Sequence, residues 1–528
     1  MAHTVVYGGG FAAVAAAAKA ASNASNKTVV LIVPYPTAKL GGIATIGGQN
    51  YWDTRGWNGT HPQRGTFAYW YGETGSFYNT DTMASLLHSN LAKYSNVVIR
   101  YCFDVTSVVT ATSPFRITAV NLKNIYRDTD GNIKWGTTTS VEYGTIFIDA
   151  SEEGRLARIV NSAVTTGRYD WPINYLDNIE KNAYGVGRQQ AATLMFKMTG
   201  ITPGTYSDMN FTMDSKTGIK GCWGGRNTYK NNATVKDFNN TYGSQGYILK
   251  PINAAQNGLN SSEWWINAFL IFNVDGRANY RDKNTAMYPT HVLSGNKTTD
   301  EAWIAARNFL KNTATFLTAI RQFDGFGSAD FVTDSNGYPV VGDMLYLRET
   351  VHMSIDSQDR TNQSEDNYHI TTAESNNAGN SPITGTDTSN HYDRIGLSYY
   401  NADVHPYKYT DLKDNAGNYL WAEESWDKMR PDLNITGSSP ANPVYVPYQA
   451  LTTGYVANLL LPGYAVGVSS FSWGETRVFP NLSVLGDAAG VAAAYCLNNN
   501  KQPLYLNHSD VSVIQNTLIN SAEARIDK

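Results

Sequence analysis

Three small residues near the amino terminus have the types and the spacing that binding of a dinucleotide pyrophosphate requires. They are Gly8, Gly10 and Ala13 of a G-x-G-x-x-A pattern. Gly8 permits a tight turn, Gly10 lets the backbone approach a phosphate, and Ala13 lets a helix pack closely on a strand. The N–H groups of Phe11 and Ala12, at the positive end of the helix dipole, can then bind the phosphate charges.

The elements predicted around this fingerprint are those of a βαβ unit. The run from Thr4 to Val6 predicts a buried parallel strand, an alanine-rich helix follows, and a second strand is predicted from Thr28 to Val33. Because the fingerprint stands between a strand and a helix, it indicates dinucleotide binding. The alternative is a tight turn in an ordinary α/β domain.

Composition narrows the class of protein and its partners. The chain has 528 residues, enough for two or three domains, and its net charge of -4 gives no reason to expect nucleic acid or membrane binding. Charged residues make up 16%, against roughly 25% in typical domains. This composition favours a secreted or periplasmic protein whose export signal has been removed, with a cytoplasmic location as the alternative. We expect a small-molecule substrate.

Neither metal nor disulfide chemistry is predicted. The three cysteines, Cys102, Cys222 and Cys496, are far apart and odd in number. The D-x-D-G segment from Asp128 to Asn132 resembles the start of a calcium loop, but no acidic residue stands at the twelfth position. Its Asp-Gly chemistry predicts a hairpin turn instead.

A second glycine-rich loop, residues 40–48, follows the second strand. With the fingerprint, this loop resembles the FAD-dependent oxidoreductases of the glutathione-reductase-like flavoprotein group, in the branch that reads L-G-G-x-x-T here. The resemblance implies FAD as the cofactor and places Gly41, Gly42, Ala44 and Thr45 along it. One departure is Val33, which stands where the family has an acidic residue for the ribose hydroxyls, so ribose binding is expected to use the backbone, Tyr35 or Thr37.

Two further segments resemble cofactor-binding parts of the family. The predicted strand ending at Asp149 leads into Ala150 and Ser151, where the family closes back on the FAD, and the predicted strand at Val105 passes the adenine. Arg155 replaces an acidic residue of the family motif.

The carboxyl-terminal block carries a second cofactor signal. Arg477 belongs to it, and the apolar Leu485 precedes Gly486 and Asp487, after which a helix is predicted from Ala488 to Asn498. The resemblance implies that Asp487 accepts hydrogen bonds from ribityl hydroxyls, while the helix start stabilises negative charge at the flavin. The cofactor residues predicted in this block are Arg477, Gly486, Asp487, Ala489 and Gly490.

Asp403 and His405 match a D-x-H motif of the family. The resemblance implies that His405 lies near the flavin, where an imidazole can accept a proton from a hydroxyl as hydride leaves the same carbon. The alternative is a histidine that hydrogen-bonds a backbone carbonyl. His405 has no histidine partner, because Ser470 stands where the family commonly has one.

Arg348 and Tyr448 are the other catalytic candidates. Arg348 begins a segment that resembles the family's R-E-S/T-R-R, but Val351 and His352 replace its last two arginines. Their loss favours a neutral substrate. Tyr448 ends a Y-V-P-Y segment that also matches the family.

The sequence thus predicts an α/β fold with a discontinuous Rossmann-type FAD-binding domain (residues 1–165 and 445–528) enclosing a largely antiparallel β substrate domain (residues 166–444). The expected activity is oxidation of a neutral, hydroxyl-bearing small molecule by hydride transfer to flavin N5. A saccharide or glycoside is a candidate, because the aromatic segment from Tyr51 to Tyr78 suits sugar stacking, although its rings can instead pack under the flavin domain. Without a second dinucleotide fingerprint for a nicotinamide, molecular oxygen is a candidate acceptor. The alternatives are a non-redox flavin-dependent lyase or isomerase, and a carbohydrate-binding protein on a degenerate flavoprotein fold.

Overall fold

The computed structural model describes residues 3–353, 392–421, 423–433 and 442–528. Their strands are β1 Thr4–Tyr7, β2 Val29–Val33, β3 Val97–Tyr101, β4 Phe103–Thr112, β5 Phe115–Arg127, β6 Ile133–Tyr143, β7 Ile146–Asp149, β8 Val164–Thr166, β9 Ala192–Thr193, β10 Phe196–Thr199, β11 Met209–Met213, β12 Lys220–Gly224, β13 Tyr247–Gln256, β14 Trp264–Ile271, β15 Asp330–Phe331, β16 Val351–Met353, β17 Arg394–Ser398, β18 Val444–Pro447 and β19 Leu459–Leu460. Their α-helices are α1 Phe11–Asn23, α2 Thr66–Thr74, α3 Thr80–Ala92, α4 Arg155–Ile159, α5 Asn178–Lys181, α6 Arg226–Asn231, α7 Ala233–Tyr242, α8 Thr299–Asn312, α9 Ala314–Ile320, α10 Glu423–Met429, α11 Ser470–Thr476, α12 Phe479–Asn499 and α13 His508–Asn520.

A five-stranded parallel sheet carries the fingerprint. Its order is β19-β7-β1-β2-β3, and Thr4 of β1 lies opposite Val29 on one side and Ile146 on the other. Every residue of β1, β2 and β7 is buried, as expected for β-branched strands covered on both faces. Because β19 comes from the carboxyl-terminal part, both ends of the chain build this sheet. The predicted Rossmann-type, discontinuous fold is confirmed; the domain boundaries stay predictions.

Helix α12 packs directly on the fingerprint helix α1. A Cβ added to Gly486 would lie 2.3 Å from the backbone oxygen of Ala12, and one added to Gly490 would lie 2.4 Å from that of Ala16. The helix predicted from Ala488 to Asn498 begins earlier than predicted, because α12 already starts at Phe479. Gly486 and Gly490 therefore let two alanine-rich helices approach closely.

The inserted region contains a seven-stranded sheet, with the order β11-β12-β13-β14-β10-β15 and with β9 paired to β14. The neighbouring strands β11 to β14 pair antiparallel, as predicted. The single helix predicted from Glu301 to Gln322 is two helices, α8 and α9, which meet at the non-helical backbone of Thr313.

The aromatic segment from Tyr51 to Tyr78 packs into the core. Trp52, Phe67, Trp70 and Tyr78 are buried, and Phe11 stacks on Trp52 with ring centroids 4.6 Å apart. This confirms the packing alternative for most of its rings and leaves Tyr51 as the ring that reaches the pocket described below.

The hairpin turn predicted from Asp128 to Asn132 is present in the structure. The turn between β5 and β6 is closed by Asp128, whose carboxylate accepts hydrogen bonds from the backbone N–H groups of Asp130 and Asn132. All three cysteines are free thiols. Within the described ranges, no cluster of side chains could hold a metal ion and no helix is long and apolar enough to cross a membrane.

Candidate functional site

Two cavities lie on opposite sides of the segment from Met344 to Arg348. The sheet-edge cavity, of about 100 Å³, is lined by Met344, Leu345 and Leu347 together with Tyr7, Pro34, Tyr35, Ile46, Ser151 and Glu152. The polar pocket, of about 200 Å³, is lined by Tyr346 and Arg348 together with Tyr51, Asp53, Lys250, Asn267, Asp403, His405, Trp421 and Arg477. The first cavity lies where β1, β2 and β7 end, which is the edge at which open α/β sheets bind ligands.

The fingerprint fits a phosphate ligand. Gly8 has φ of 129°, and a Cβ there would lie 2.7 Å from the backbone oxygen of Ala150, so the turn itself requires glycine. Gly10 caps α1 with φ of -78°, and a Cβ there would meet nothing closer than 3.6 Å. The fold therefore does not need glycine at position 10, but an approaching ligand does. No side chain caps α1, so its first N–H groups face the phosphate side.

A carboxyl group stands on that phosphate side. Glu152 Oε1 is the atom 3.6 Å from the Cβ position of Gly10, and it accepts a 2.8 Å hydrogen bond from the Tyr35 hydroxyl. Burial raises the pKa of Glu152 to about 7, although the Tyr35 hydrogen bond opposes the shift. Sequence reasoning missed this residue; the signal was the glutamate directly after Asp149-Ala150-Ser151.

The second glycine-rich loop lies against the fingerprint. The Gly41 N–H donates to the Gly9 oxygen at 2.7 Å, and residues Gly42–Ala44 form a short 3-10 helix. The Thr45 hydroxyl donates to the Leu40 oxygen at 2.6 Å, so it closes the loop. Gly41, Gly42 and Ala44 therefore stay cofactor-lining candidates, and Thr45 positions them.

Ala150 and Ser151 lie beside Gly8, and their contact with the cofactor stays a prediction. The Ala150 N–H donates to the Tyr7 oxygen at 2.8 Å, and the Ser151 hydroxyl donates to Asp149 at 2.6 Å. The Thr37 hydroxyl, a candidate for the ribose, donates to Asp343 at 2.6 Å.

Val105 cannot offer its backbone to an adenine. Its N–H donates to Asp104 at 2.7 Å, and its oxygen accepts from Arg155 Nε and Nη2 at 3.0 and 2.9 Å. Arg155 is fully buried and also contacts Asp282 at 2.7 Å. The arginine that departs from the family motif therefore belongs to a buried ion-pair network, and the prediction for Val105 is wrong.

Asp487 is not at a helix start. It lies inside α12 and accepts hydrogen bonds from Thr66, from the backbone N–H at 2.8 Å and from the hydroxyl. Thr66 opens α2, whose own cap residue Gly65 has no side chain to offer. The prediction that Asp487 faces the ribityl chain is therefore wrong, and Asp487 caps α2 from a neighbouring helix. Gly486, Gly490 and the buried Ala489 belong to the same helix packing.

The helix start predicted at Ala488 is found at Phe479. Val478 is its N-cap, without a side-chain hydrogen bond, and Arg477 directly precedes it. Arg477 lines the polar pocket, so the dipole end of α12 lies beside this pocket and not beside Asp487.

His405 lies in the polar pocket and is 6% exposed. Its Nε2 is 3.5 Å from Asp403 Oδ1, and its Nδ1 has no hydrogen-bond partner in the part of the chain that the structure describes. The alternative, in which the ring of His405 hydrogen-bonds a backbone carbonyl, is therefore not seen among the described residues. Burial lowers the pKa of His405 well below its usual value, and the charges of Arg348, Arg477 and Lys250 lower it further. The imidazole is neutral at physiological pH.

Arg477 spans the pocket between two partners. It donates to the Tyr346 hydroxyl at 2.6 Å and to the Asp403 carboxylate at 2.6 Å. Asp53, which accepts from Gln49 at 2.9 Å, has its pKa raised to about 6 by burial and by the charge of Asp403.

Arg348 and Lys250 converge on Asn267. Arg348 donates to Ala191 and Thr193 at 2.9 and 2.7 Å and to Asn267 Oδ1 at 3.4 Å. Lys250 donates to the Asn267 backbone oxygen at 2.9 Å. Burial and the charge of Arg477 lower the pKa of Arg348 to about 10, and burial and the charge of Arg348 lower the pKa of Lys250 to about 7. Lys250 carried no recognisable sequence signal.

Tyr448 lies away from both cavities. Its hydroxyl is buried and donates to the Pro503 oxygen at 2.8 Å, in the packing of the carboxyl-terminal helices. The prediction that Tyr448 is catalytic is wrong, because its polar atom is used by the fold. Of the three catalytic candidates, the structure brings His405 and Arg348 together.

The sequence profile of the family described as FAD dependent oxidoreductase matches residues 4–518. The chain belongs to this family. FAD is therefore its cofactor and oxidoreduction its class of enzyme chemistry. The fingerprint described above, with room at Gly10 and an uncapped helix start, fits the phosphates of that cofactor.

Similarity to individual proteins is low. No curated protein matches the chain. One similar solved structure is a myxobacterial chondrochloren halogenase, with 12% identity, a TM-score of 0.30, and coverage of 64% of this chain and 63% of that chain. A second is p-nitrophenol 4-monooxygenase from Pseudomonas putida, with 12% identity, a TM-score of 0.25, and coverage of 51% of this chain and 57% of that chain. A third is PqsL from P. aeruginosa in complex with 2-aminobenzoylacetate, with 9% identity, a TM-score of 0.33, and coverage of 99% of this chain and 94% of that chain. The chain thus spans less than two thirds of the length of the first two.

Proposed function

We propose that this protein oxidises a small hydroxyl-bearing molecule in the polar pocket, and that His405 accepts the hydroxyl proton. The observation that carries the proposal is a buried, neutral imidazole whose Nδ1 has no partner among the described residues. A neutral imidazole can act as a general base, whereas a protonated one cannot.

The proposed oxidation removes a hydride and a proton from the substrate. The substrate carbon loses a hydride and its hydroxyl loses a proton, so a carbonyl group forms. FAD, when bound, supplies a hydride acceptor at N5. His405 takes the proton, and its ring is held beside Asp403, which can stabilise the imidazolium that results. With molecular oxygen as the electron acceptor, the second product is hydrogen peroxide.

A saccharide-like substrate is supported by the walls of the pocket. Trp421 lies against the His405 ring with centroids 5.5 Å apart, and Tyr51 and Tyr346 line the same space. Aromatic faces combined with amide, guanidinium and carboxyl groups suit a ring that carries several hydroxyls. The pocket volume of about 200 Å³ favours a small ligand such as a single sugar unit.

The test is anaerobic flavin reduction, followed by absorbance, with glucose, gluconate, glucuronate and methyl glucoside as probes. At least one probe should reduce the flavin, and the aerobic reaction should release hydrogen peroxide. In His405→Ala the reduction rate should fall roughly 10²- to 10⁴-fold, with FAD content unchanged. The exposed His88 on α3 provides the control, because His88→Ala removes a histidine far from the pocket residues.

Two results would contradict the proposal. If no probe reduces the flavin in the wild-type protein, oxidation of a sugar-like hydroxyl is wrong. If His405→Ala reduces as fast as the wild type, the proton acceptor is another group or water.

A further inference from the structure

Arg348 is a buried guanidinium and Lys250 is a buried amine whose pKa burial lowers to about 7, and neither has an anionic partner among the described residues. Arg348 is 1% exposed and Lys250 is 2% exposed. Among the described residues, no carboxylate oxygen lies within 4.0 Å of either side chain. Burying an unpaired charge is costly, so such a pair requires an explanation.

The other buried arginines show how this fold normally handles a buried charge. Each of them has a carboxylate at 2.6–2.9 Å; they are Arg155, Arg168, Arg277, Arg430 and Arg477. Arg348 differs from all of these, and among the described residues Lys250 has only backbone oxygens as hydrogen-bond acceptors. Both side chains that lack a carboxylate partner among the described residues line the polar pocket.

Donor groups remain available at this place. Lys250 has three ammonium hydrogens and uses two, on the oxygens of Pro251 and Asn267. Arg348 Nε has no hydrogen-bond partner within the described ranges. Asp403 already pairs with Arg477, which leaves Asp53 as the other acid of the pocket lining. The pocket thus has more positive than negative charge.

We propose that the substrate carries a carboxylate, which binds between Arg348 and Lys250 while its hydroxyl faces His405. The substrate class is then a sugar acid or another small hydroxy acid. This inference rests on the proposed function, because it assigns the remaining charge of the same substrate. Electrostatic complementarity is the physical reason: the carboxylate supplies the counter-charge that the fold leaves out.

The sequence had favoured a neutral substrate, because Val351 and His352 replace two arginines. In the structure both residues are buried in β16, and His352 Nε2 lies 3.1 Å from Glu349 Oε1. Neither position lines the polar pocket. The positive charge of the pocket comes instead from other parts of the chain, including Lys250 and Arg477.

The test compares glucuronate with glucose, which differ by a carboxylate in place of a hydroxymethyl group. Binding to the FAD-loaded His405→Ala protein is measured by calorimetry and by the change in flavin absorbance, so that no turnover is needed. Glucuronate should bind at least 10-fold more tightly than glucose. Arg348→Met and Lys250→Met should each weaken glucuronate binding roughly 10- to 100-fold and leave glucose binding within about 3-fold.

Matched variants separate the charge from other effects. Arg348→Lys retains the positive charge and should retain most of the preference, whereas Lys216→Met removes an exposed lysine outside the pocket lining and should change nothing. Equal binding of glucuronate and glucose to the protein with Arg348 and Lys250 intact would overturn the inference. So would an equal loss of both ligands together with a shifted flavin midpoint potential, because the cations would then serve the flavin. If glucuronate binds preferentially but never reduces the flavin in the wild-type protein, the carboxylate site stands and the proposed oxidation fails.

Discussion

Glu152 should make FAD binding depend on pH. Its carboxyl group is the side-chain atom nearest to the phosphate side of Gly10, and Tyr35 holds it there. The backbone is fixed as well, because the Glu152 oxygen accepts a 2.6 Å hydrogen bond from the Thr350 hydroxyl. A dianionic pyrophosphate at this place is repelled by an ionised carboxylate but can accept a hydrogen bond from a protonated one.

The size of the effect follows from the pKa of Glu152, which burial raises to about 7. The groups that face it are Tyr35, whose hydrogen bond lowers the pKa, and Glu153 and Asp149, whose charges raise it. If FAD binds the protonated form, affinity is full below pH 7 and falls roughly tenfold per pH unit above it. Between pH 6 and pH 8.5 the Kd should therefore rise roughly 30-fold.

The assay is quenching of FAD fluorescence on titration of the deflavinated protein across this pH range. Glu152→Gln keeps the shape and the Tyr35 hydrogen bond but cannot ionise, so its Kd should be flat and equal to the low-pH value of the wild type. Tyr35→Phe removes the bond that lowers the pKa of Glu152, so the fall in affinity should move to higher pH. A wild-type Kd that is constant from pH 6 to 8.5, or a Glu152→Gln protein with the wild-type slope, would refute the reasoning.

Two further predictions concern the helix pair α1 and α12. Gly10→Val should give a folded protein that does not retain FAD, because the added atoms would occupy the space of the ligand. Gly486→Val should fail to fold, because even a Cβ would lie 2.3 Å from the Ala12 oxygen. Circular dichroism reports folding and the visible spectrum reports bound flavin, and a yellow Gly10→Val protein would contradict the assignment of the fingerprint. Asp487→Ala should lower the free energy of unfolding by roughly 1–3 kcal/mol, since it leaves the buried Thr66 donors unpaired, with an unchanged Kd for FAD. A normal unfolding curve combined with weakened FAD binding would return Asp487 to the cofactor.

The parallel sheet and the fingerprint were predictable because their signals are local. A buried β-branched run, a glycine turn and an alanine-rich helix occur within about twenty residues, so each supports the others. The carboxyl-terminal block shows the limit of the same method. Gly486 and Gly490 are typical both of a strand-to-helix turn and of close helix packing, and only the partner helix α1 decides between them.

The polar pocket was only partly predictable, because its residues are distant in sequence. His405 and Arg348 were proposed from motifs, whereas Lys250 and Asn267 come from neighbouring strands of the antiparallel sheet and match no motif. A lysine in an alternating strand is ordinarily a solvent-facing residue, so its burial could not be inferred from the sequence. The charge of the pocket, and with it the class of substrate, therefore required the fold.

Charge is distributed in opposite ways at the two cavities. Glu152 lines the sheet-edge cavity and lies beside Gly10 of the fingerprint, whereas Arg348 and Lys250 line the polar pocket without a carboxylate partner among the described residues. Met344, Leu345 and Leu347 of this segment line the sheet-edge cavity, and Tyr346 and Arg348 line the polar pocket, so the segment is a wall that the two cavities share. Tyr346 also accepts a hydrogen bond from Arg477, which directly precedes α12. The segment from Met344 to Arg348 therefore connects the cations of the polar pocket with the helix that packs on the fingerprint helix α1. Filling of one cavity is therefore expected to influence the other through this shared wall.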